Sequence, residues 1–335
     1  MKIALDAMGG DFAPDVTIAG ALDAVNEFGL DIILVGNEEK INPCLAGKKF
    51  NLSKITIVHT DEAVDINDKA STALRKKRNS SIHLAIELVK NGEANAVVSA
   101  GHSGVVMAAS LFILGKLPKV DRPAIATIMP SLTGHFLLID AGANVDCEPL
   151  NLLQFGYMGE AYYKAIFKNE SPRVAILSIG EEDTKGNELT KDAFKYMKKA
   201  NFNFIGNIEG KDIFQGGADV IVCDGFIGNI ALKVSEGLAE MILKMLKMEI
   251  ANLTTGKLGY LLIKPAIRNF KKRTDYSEYG GAPLLGINGT SIISHGRSSA
   301  KAIKNALWVA AEMASKEVHL RIMENLKDFA EFSKK

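Results

Sequence analysis

Residues 219–237, DVIVCDGFIGNIALKVSEG, set an acid, two glycines and a carboxamide between an apolar run and a helical pattern. Val220, Ile221, Val222 and Cys223 suit a central parallel strand buried on both faces. Asp224 and Gly225 stop that strand with a charge and a flexible residue. Gly228 and Asn229 then open a helix in which Ile230, Ala231, Val234, Leu238, Met241 and Ile242 recur at three and four residues, the spacing of a core helix. Asn229 is expected to cap this helix, whose N-terminus presents unpaired N–H groups and a positive dipole end to anions. The turn reads as an ordinary capped connection, or as one wall of an oxyanion site at the carboxyl end of a strand.

The same grammar recurs. NAVVSAGHSGVVMAAS (95–110) runs from an apolar strand through Gly101, His102, Ser103 and Gly104 into a helix. IALDAMGGD (3–11) ends a strand at Asp6 before Gly9 and Gly10, and FLLIDAGAN (136–144) ends one at Asp140 before Gly142. VAILSIGEEDTKGN (174–187) carries Gly180, Lys185 and Gly186 past its strand. Five strand ends bearing glycine and a polar residue imply one rim lined with backbone N–H groups, a surface for phosphate or another oxyanion. The basic run Arg75, Lys76, Lys77 and Arg78 precedes Ser80, Ser81 and a helical stretch at 82–91. Cation, hydroxyl and helix N-terminus converge there on a further anion contact, against the plainer reading of a solvated basic run. Candidate phosphate contacts are therefore Ser80, Ser81, Gly101, His102, Ser103, Gly104, Asp224 and Gly228. Lys185 and Asn229 can supply a positive charge and an amide donor.

Other chemistries lack their residues. There is no GxSxG, HExxH or GxxxxGK[ST], and none of the turns is GxGxxG. The six histidines are scattered, so no metal ligand set is indicated. His102 and His295 read as hydrogen-bonded structural residues, and Cys223 as inert packing within its strand.

The elements behind these turns alternate strand and helix. A helix is expected over 12–28 after Pro14 and Asp15, strands over 31–36 and 55–59, and an antiparallel hairpin from 124–129 and 135–139. An amphipathic helix is expected over 150–167, a strand over 202–207, a strand ending at His295 and Gly296, and a last helix over 299–317. Residues 251–274 contain no acid but hold Lys257, Lys264, Arg268, Lys271, Lys272 and Arg273. On a helix, Lys257, Lys264, Arg268 and Lys271 share roughly 60° of arc, and the remainder of the wheel carries Leu258, Leu261, Leu262, Ile263, Ile267 and Phe270. Pro265 predicts two short helices here. The stretch fits a helical hairpin packed on a dimer mate, or a surface resting on an anionic membrane, and the two are compatible.

With 335 residues, 47% hydrophobic and 24% charged, the chain has an ordinary globular make-up and enough length for a large core. Its net charge of +1 points to no nucleic-acid partner, so any basic site is local. Cys44, Cys147 and Cys223, without a CxxC, read as reduced cytosolic thiols. MKIALD meets Asp6 too early for a secretory signal, and the uncharged run 102–115 is too short to span a bilayer. Without repeats or linkers, residues 1–335 are read as a single α/β domain with a helical hairpin at about 230–275.

Taken together, DAMGGDFAP (6–14), SAGHSG (99–104), DAGANVDC (140–147), LSIGEEDTKGN (177–187), FIGNIEGKDI (204–213), DVIVCDGFIGNIALK (219–233) and GAPLLGINGTSIISHGRS (281–298) resemble the bacterial phosphate acyltransferases of phospholipid synthesis, the acyl-carrier-protein:phosphate transacylases. The resemblance runs through almost the whole chain in order. One turn departs from it, with His102-Ser103 where an Asn-Thr-like pair is expected. The resemblance implies a multi-layer α/β fold with a mainly parallel central sheet, like isopropylmalate dehydrogenase and phosphotransacetylase. It also implies a homodimer, and neither metal nor nucleotide cofactor. The implied reaction joins fatty acyl-carrier protein and inorganic phosphate into acyl phosphate, which passes to a membrane glycerol-3-phosphate acyltransferase. The enzyme would thus be cytoplasmic and peripherally membrane-associated. Lys185, in EEDTKGN, and Asn229, in GFIGN, are the implied catalytic pair.

The residues suit that reaction. Phosphate is its own nucleophile, so no serine or cysteine nucleophile is required. The site must position a dianion against a thioester and stabilise the oxyanion on its carbonyl. A thiol leaves readily as thiolate. Two other readings stay open: a short-chain phosphotransacetylase acting on a coenzyme A thioester, and a non-enzymatic membrane-bound docking protein for the acyl carrier.

Overall fold

The structure is a computed structural model that describes residues 1–65, 68, 70–252, 256–274 and 276–331. In chain order its elements are β1 (Lys2–Asp6), α1 (Asp15–Phe28), β2 (Asp31–Gly36), α2 (Glu38–Leu45), β3 (Ile55–His59), α3 (Ala70–Lys76), α4 (Ser81–Lys90), β4 (Ala96–Ser99) and α5 (Ser103–Leu114). They continue with the hairpin β5 (Ala124–Ser131) and β6 (Gly134–Ile139), then α6 (Pro149–Phe167), β7 (Val174–Ser178), α7 (Glu188–Met197), β8 (Phe204–Glu209) and β9 (Val220–Val222). The last are α8 (Gly225–Asn252), α9 (Gly256–Thr274), β10 (Ala282–Leu285), β11 (Ser291–Ile293), α10 (Ala300–Ser315) and α11 (Val318–Asn325).

The strands form one 11-stranded sheet in the order β3-β2-β1-β4-β11-β10-β5-β6-β9-β7-β8. The mainly parallel α/β sheet expected from the sequence is what is found. Its burial follows the two-residue strand period. Ile3 and Leu5 of β1, Leu137 and Ile139 of β6, and Val220 and Val222 of β9 face one continuous core against α1, α6, α10 and α11. Ala4 and Val97 face a second core under α4 and α5. Phe136, Leu138, Ile221 and Cys223 face a third. All three residues of β9 are fully buried, each contributing about 1.5–3 kcal/mol relative to exposure.

Strand direction decides where the turns go. From β3 through β11 the first five strands in the sheet order are parallel. β10 is antiparallel to both β11 and β5, and β5 to β6. The parallel set β6, β9, β7 and β8 therefore runs opposite to the first five. The carboxyl ends of β1 and β4 lie at one edge of the sheet, and those of β6, β9 and β7 at the other. The single rim expected from five similar turns is thus two rims. From β4 to β9 there are five strand spacings, about 24 Å of sheet.

Three local expectations are also corrected. α6 is buried around its whole circumference from Asn151 to Tyr163, so it is a core helix and not amphipathic. Pro265 lies inside α9, which continues as one helix from Gly256. α8 is no core helix: of its residues only Gly225 and Gly228 are buried, and Ile230, Val234, Leu238, Met241 and Ile242 are exposed. It packs along α9 as a hairpin. The side chains of Lys257, Leu258, Leu261, Lys271, Lys272 and Arg273 lie outside the described residues.

Candidate active site

At the first edge, Asp6 organises two turns. Its carboxylate, only 2% exposed, accepts the Ser99 hydroxyl at 2.7 Å and the Met8 N–H at 3.2 Å. Ser99 Oγ in turn accepts the Gly101 N–H at 3.0 Å. Burial pushes the Asp6 carboxyl above the usual carboxylate range, against the pull of its hydrogen bonds from Ser81, Ser99, Met8 and Gly9. Gly9 is needed for this closeness, since a Cβ there would stand 2.8 Å from the Gly101 nitrogen. Gly101 thereby has its N–H engaged. The N–H groups left at the start of α5 are those of Ser103 and Gly104, which have no partner among the described residues. His102 precedes the helix without capping it, and its Nδ1 is buried with no partner.

Ser80 and Ser81 are engaged within the protein. Both are buried; Ser80 Oγ pairs with His83 Nδ1 at 2.8 Å and Ser81 bonds Asp6. Lys77 turns onto Asp68 at 2.6 Å and Ala63 O at 2.9 Å. None of the basic run 75–78 lines the cavity over this edge. The cations lining it from this edge are Lys40 and Arg297; Arg297 is held 3.7 Å from Asp11 by a turn in which Asp11 N–H donates to Gly296 O at 2.8 Å. Arg297 lies in the SHGRS stretch quoted above, but only the sheet topology carries it beside β4.

At the second edge, Asp140 plays the part of Asp6. It is fully buried and accepts from the backbone N–H groups of Ile125, Gly142, Ala143 and Asn144 at 2.7–3.1 Å, and from Asn144 Nδ2 at 2.8 Å. Burial raises its carboxyl against these donors. The turn so formed touches Asn229, whose Cβ lies 3.4 Å from where a Cβ on Gly142 would sit. α8 starts at Gly225, four residues before Asn229, so Asn229 does not cap it. The cap is Asp224, whose Oδ1 accepts the Ile227 N–H at 2.9 Å; that carboxylate is occupied and only 8% exposed. Gly228 is buried against the Asp140 carbonyl. Asn229 is exposed one turn into the helix. Lys185, exposed in the loop after the neighbouring β7, makes no ion pair among the described residues. Asn187 fixes the end of that loop by accepting Thr190 N–H at 2.9 Å.

α8 joins the two edges. Its 28 residues span about 42 Å. It rises from Asp224 past β5 to form one wall of a cavity of about 1490 Å³, whose other wall is the first edge: Gly10, Gly101, His102, Ser103, Gly296 and Arg297. Leu232, Lys233, Glu236, Ala239 and Leu243 are on the cavity side of α8. At about 100° per residue, Asn229 falls within roughly 60° of Leu232, Lys233, Glu236 and Leu243. It therefore continues the cavity-facing side of the helix one turn below the cavity. The sequence held this wall as a spacing of four, seven and eleven residues beginning at Leu232, masked by the more hydrophobic opposite side.

Burial disfavours the thiolate form of both thiols nearby. Burial pushes Cys223 well above the ordinary thiol value and Cys147 up to about 11, the charges of Asp140 and Asp224 adding to both. Among the described residues no three His, Cys, Asp or Glu side chains gather as a metal site, and no helix is long and apolar enough to cross a membrane.

A family model described as "Fatty acid synthesis protein" matches residues 1–321. The phosphate acyltransferase of Thermodesulfovibrio yellowstonii is 62% identical over 331 residues, covering 99% of this chain and 96% of that protein. The phosphate acyltransferase of Geobacter sulfurreducens is 52% identical over 327 residues, covering 98% and 94%. Among solved structures, a phosphotransacetylase from Streptococcus pyogenes superposes with a TM-score of 0.64 at 20% identity, over 94% of each chain. A 4-hydroxythreonine-4-phosphate dehydrogenase from Klebsiella pneumoniae gives 0.54 at 13% identity, over 94% of this chain and 99% of the other. At these identities the two structures share the fold.

Proposed function

Because this chain belongs to the phosphate acyltransferase family, we propose that it transfers a fatty acyl group from acyl-carrier protein to inorganic phosphate. The observation that carries the reading is the make-up of the cavity. One wall offers the Ser103 N–H, which has no partner among the described residues, together with Arg297, and the other offers leucines and an isoleucine of α8. Such a space suits a ligand with an anionic head and a long apolar tail. At about 1490 Å³ it exceeds the usual 300–1,000 Å³ of small-molecule sites.

A phosphate oxygen attacks the thioester carbonyl, the C–S bond breaks, and the carrier leaves as thiolate, which takes a proton from solvent. No protein nucleophile enters the sequence. Lys185 and Asn229 are proposed to stabilise the charge that grows on the carbonyl oxygen. Residues 1–335 act as one catalytic unit. Homodimerisation is supported by the exposed stripe Ile227, Ile230, Val234, Met241, Met245 and Met248 on the side of α8 away from the cavity. Docking of this cytoplasmic protein to an anionic membrane through 251–274 is supported by exposed Leu262 and Ile263 beside Lys264 and Arg268. There the acyl phosphate would pass to a membrane glycerol-3-phosphate acyltransferase.

The fold also suits a short-chain phosphotransacetylase, as its likeness to the S. pyogenes structure indicates. Incubation with phosphate and either palmitoyl-carrier protein or acetyl-coenzyme A separates the readings. The proposal expects palmitoyl phosphate and little acetyl phosphate. Acetyl phosphate alone would favour the short-chain enzyme, and neither product a docking protein.

A further inference from the structure

α8 presents two unlike rows to the cavity. Lys233, Glu236 and Glu240 form a charged row, while Leu232, Ala239 and Leu243, flanked by Leu238 and Ile242, form an apolar one. Resting on the acyl-transfer reading above, we propose that the apolar row holds the acyl chain, and that Ala239 and Leu243 determine how long a chain is accepted. With its reacting carbonyl at Asn229, one turn below Leu232, an acyl chain running along the cavity meets one row or the other, and only the apolar row receives methylenes without stripping water from charges.

The dimensions fit. Leu232 and Leu243 are eleven residues apart, about 16 Å along the helix. That length is far beyond an acetyl or butyryl group and suits a long-chain one. The lower end of the row is met by Ile128, Met129 and Phe214, and Phe270 of α9 contributes to the same cavity. Leu238 and Ile242 are 50% and 44% exposed in the free chain, apolar area that a bound chain would cover. Two small side chains lie on this side between Leu232 and Leu243; Ser235 turns its hydroxyl back onto Ala231 O at 2.7 Å, and Ala239 is the apolar one. It leaves a notch midway, and a larger residue there would shorten the track.

The test is Ala239→Phe, with Leu243→Ala as its counterpart. The readout is the ratio of kcat/KM for palmitoyl- over hexanoyl-carrier protein, together with equilibrium binding of a fluorescent long-chain fatty acid. Ala239→Phe is expected to lower the ratio by about tenfold or more, the loss when some two methylenes are denied their apolar wall, and to weaken fatty-acid binding equally. Leu243→Ala is expected to move the preference toward longer chains. An unchanged ratio with unchanged fatty-acid binding in both folded variants would overturn the assignment, as would equal loss on both thioesters. If the parent turned over neither thioester, the acyl-transfer reading would fail, while the binding arm would still decide whether the row holds an acyl chain. Should Ala239→Phe misfold, Leu243→Ala decides alone.

Discussion

Gly228→Ala is the substitution whose consequence is most directly worked from the structure. A Cβ at residue 228 would fall on the carbonyl oxygen of Asp140 and 2.9 Å from Cys223 Sγ. The obstacle is mainly backbone, and Asp140 itself is held by five donors. The start of α8 must therefore retreat from the second edge by about 1 Å to restore ordinary contact. Overpacking of this kind costs about 1–3 kcal/mol. At about 2.1 cal/mol/K of unfolding entropy per residue, a chain of 335 residues loses about 1.4 °C of Tm per kcal/mol, so melting should drop by about 1–4 °C. Activity should suffer more, because Asn229 moves with the helix and a misplacement of about 1 Å costs on the order of 10²-fold. Gly237→Ala is the control in the same helix. Nothing stands within 4 Å of its new Cβ, so it should gain about 1 kcal/mol of helix propensity and keep parental turnover. Melting curves and steady-state kinetics of the two proteins decide the matter. Parental kcat/KM in Gly228→Ala would refute the claim that the seat of α8 on Asp140 positions catalysis.

Lys185→Ala and Asn229→Ala should each lower kcat by about 10²–10³ with unchanged circular dichroism, whereas Cys223→Ala should remain active; activity within a few-fold of the parent in both of the first two would remove them from the site. Burial depresses His83, His135 and His319 below the ordinary imidazole value. They are neutral when folded, so the stability they carry is complete above about pH 6.5 and is lost as pH falls through that unfolded value toward the depressed ones. Tm should therefore decline between about pH 7.5 and 5.5, and His135→Phe, which keeps the ring packing on Tyr163 and Phe167, should reduce the decline; an identical slope would contradict it. Leu262→Glu combined with Ile263→Glu should abolish co-sedimentation with anionic vesicles while leaving turnover of carrier-bound substrate in solution intact; undiminished vesicle binding would place the membrane contact elsewhere.

The turns were legible in the sequence because each packs its signal into a few neighbouring residues. Asp6 before Gly9, Asp140 before Gly142, and Asn187 after Lys185 are local patterns, and the strands and helices around them lie where expected. Strand direction was not legible. Three antiparallel steps, from β11 through β10 and β5 to β6, reverse the second half of the sheet, and nothing within the turns records that reversal. Asp224 caps its own helix, and in the sequence an acid at a strand end looks the same whether it does so or faces a substrate. Ser80 and Ser81 pose the same ambiguity, and here their partners are His83 and Asp6. α8 misled for a related reason. Its stronger apolar spacing, from Ile230 to Met241, marks an exposed side, while the cavity wall mixes Leu232 and Leu243 with Glu236.

The central claim is that phosphate attacks the carrier-bound thioester directly. Intact-protein mass spectrometry of the enzyme mixed with palmitoyl-carrier protein, first without phosphate and then with radiolabelled phosphate, tests it most directly. The account predicts no acylated enzyme at the first stage, and at the second one labelled palmitoyl phosphate for each carrier thiol released. A palmitoylated enzyme formed without phosphate, and discharged when phosphate is added, would contradict it.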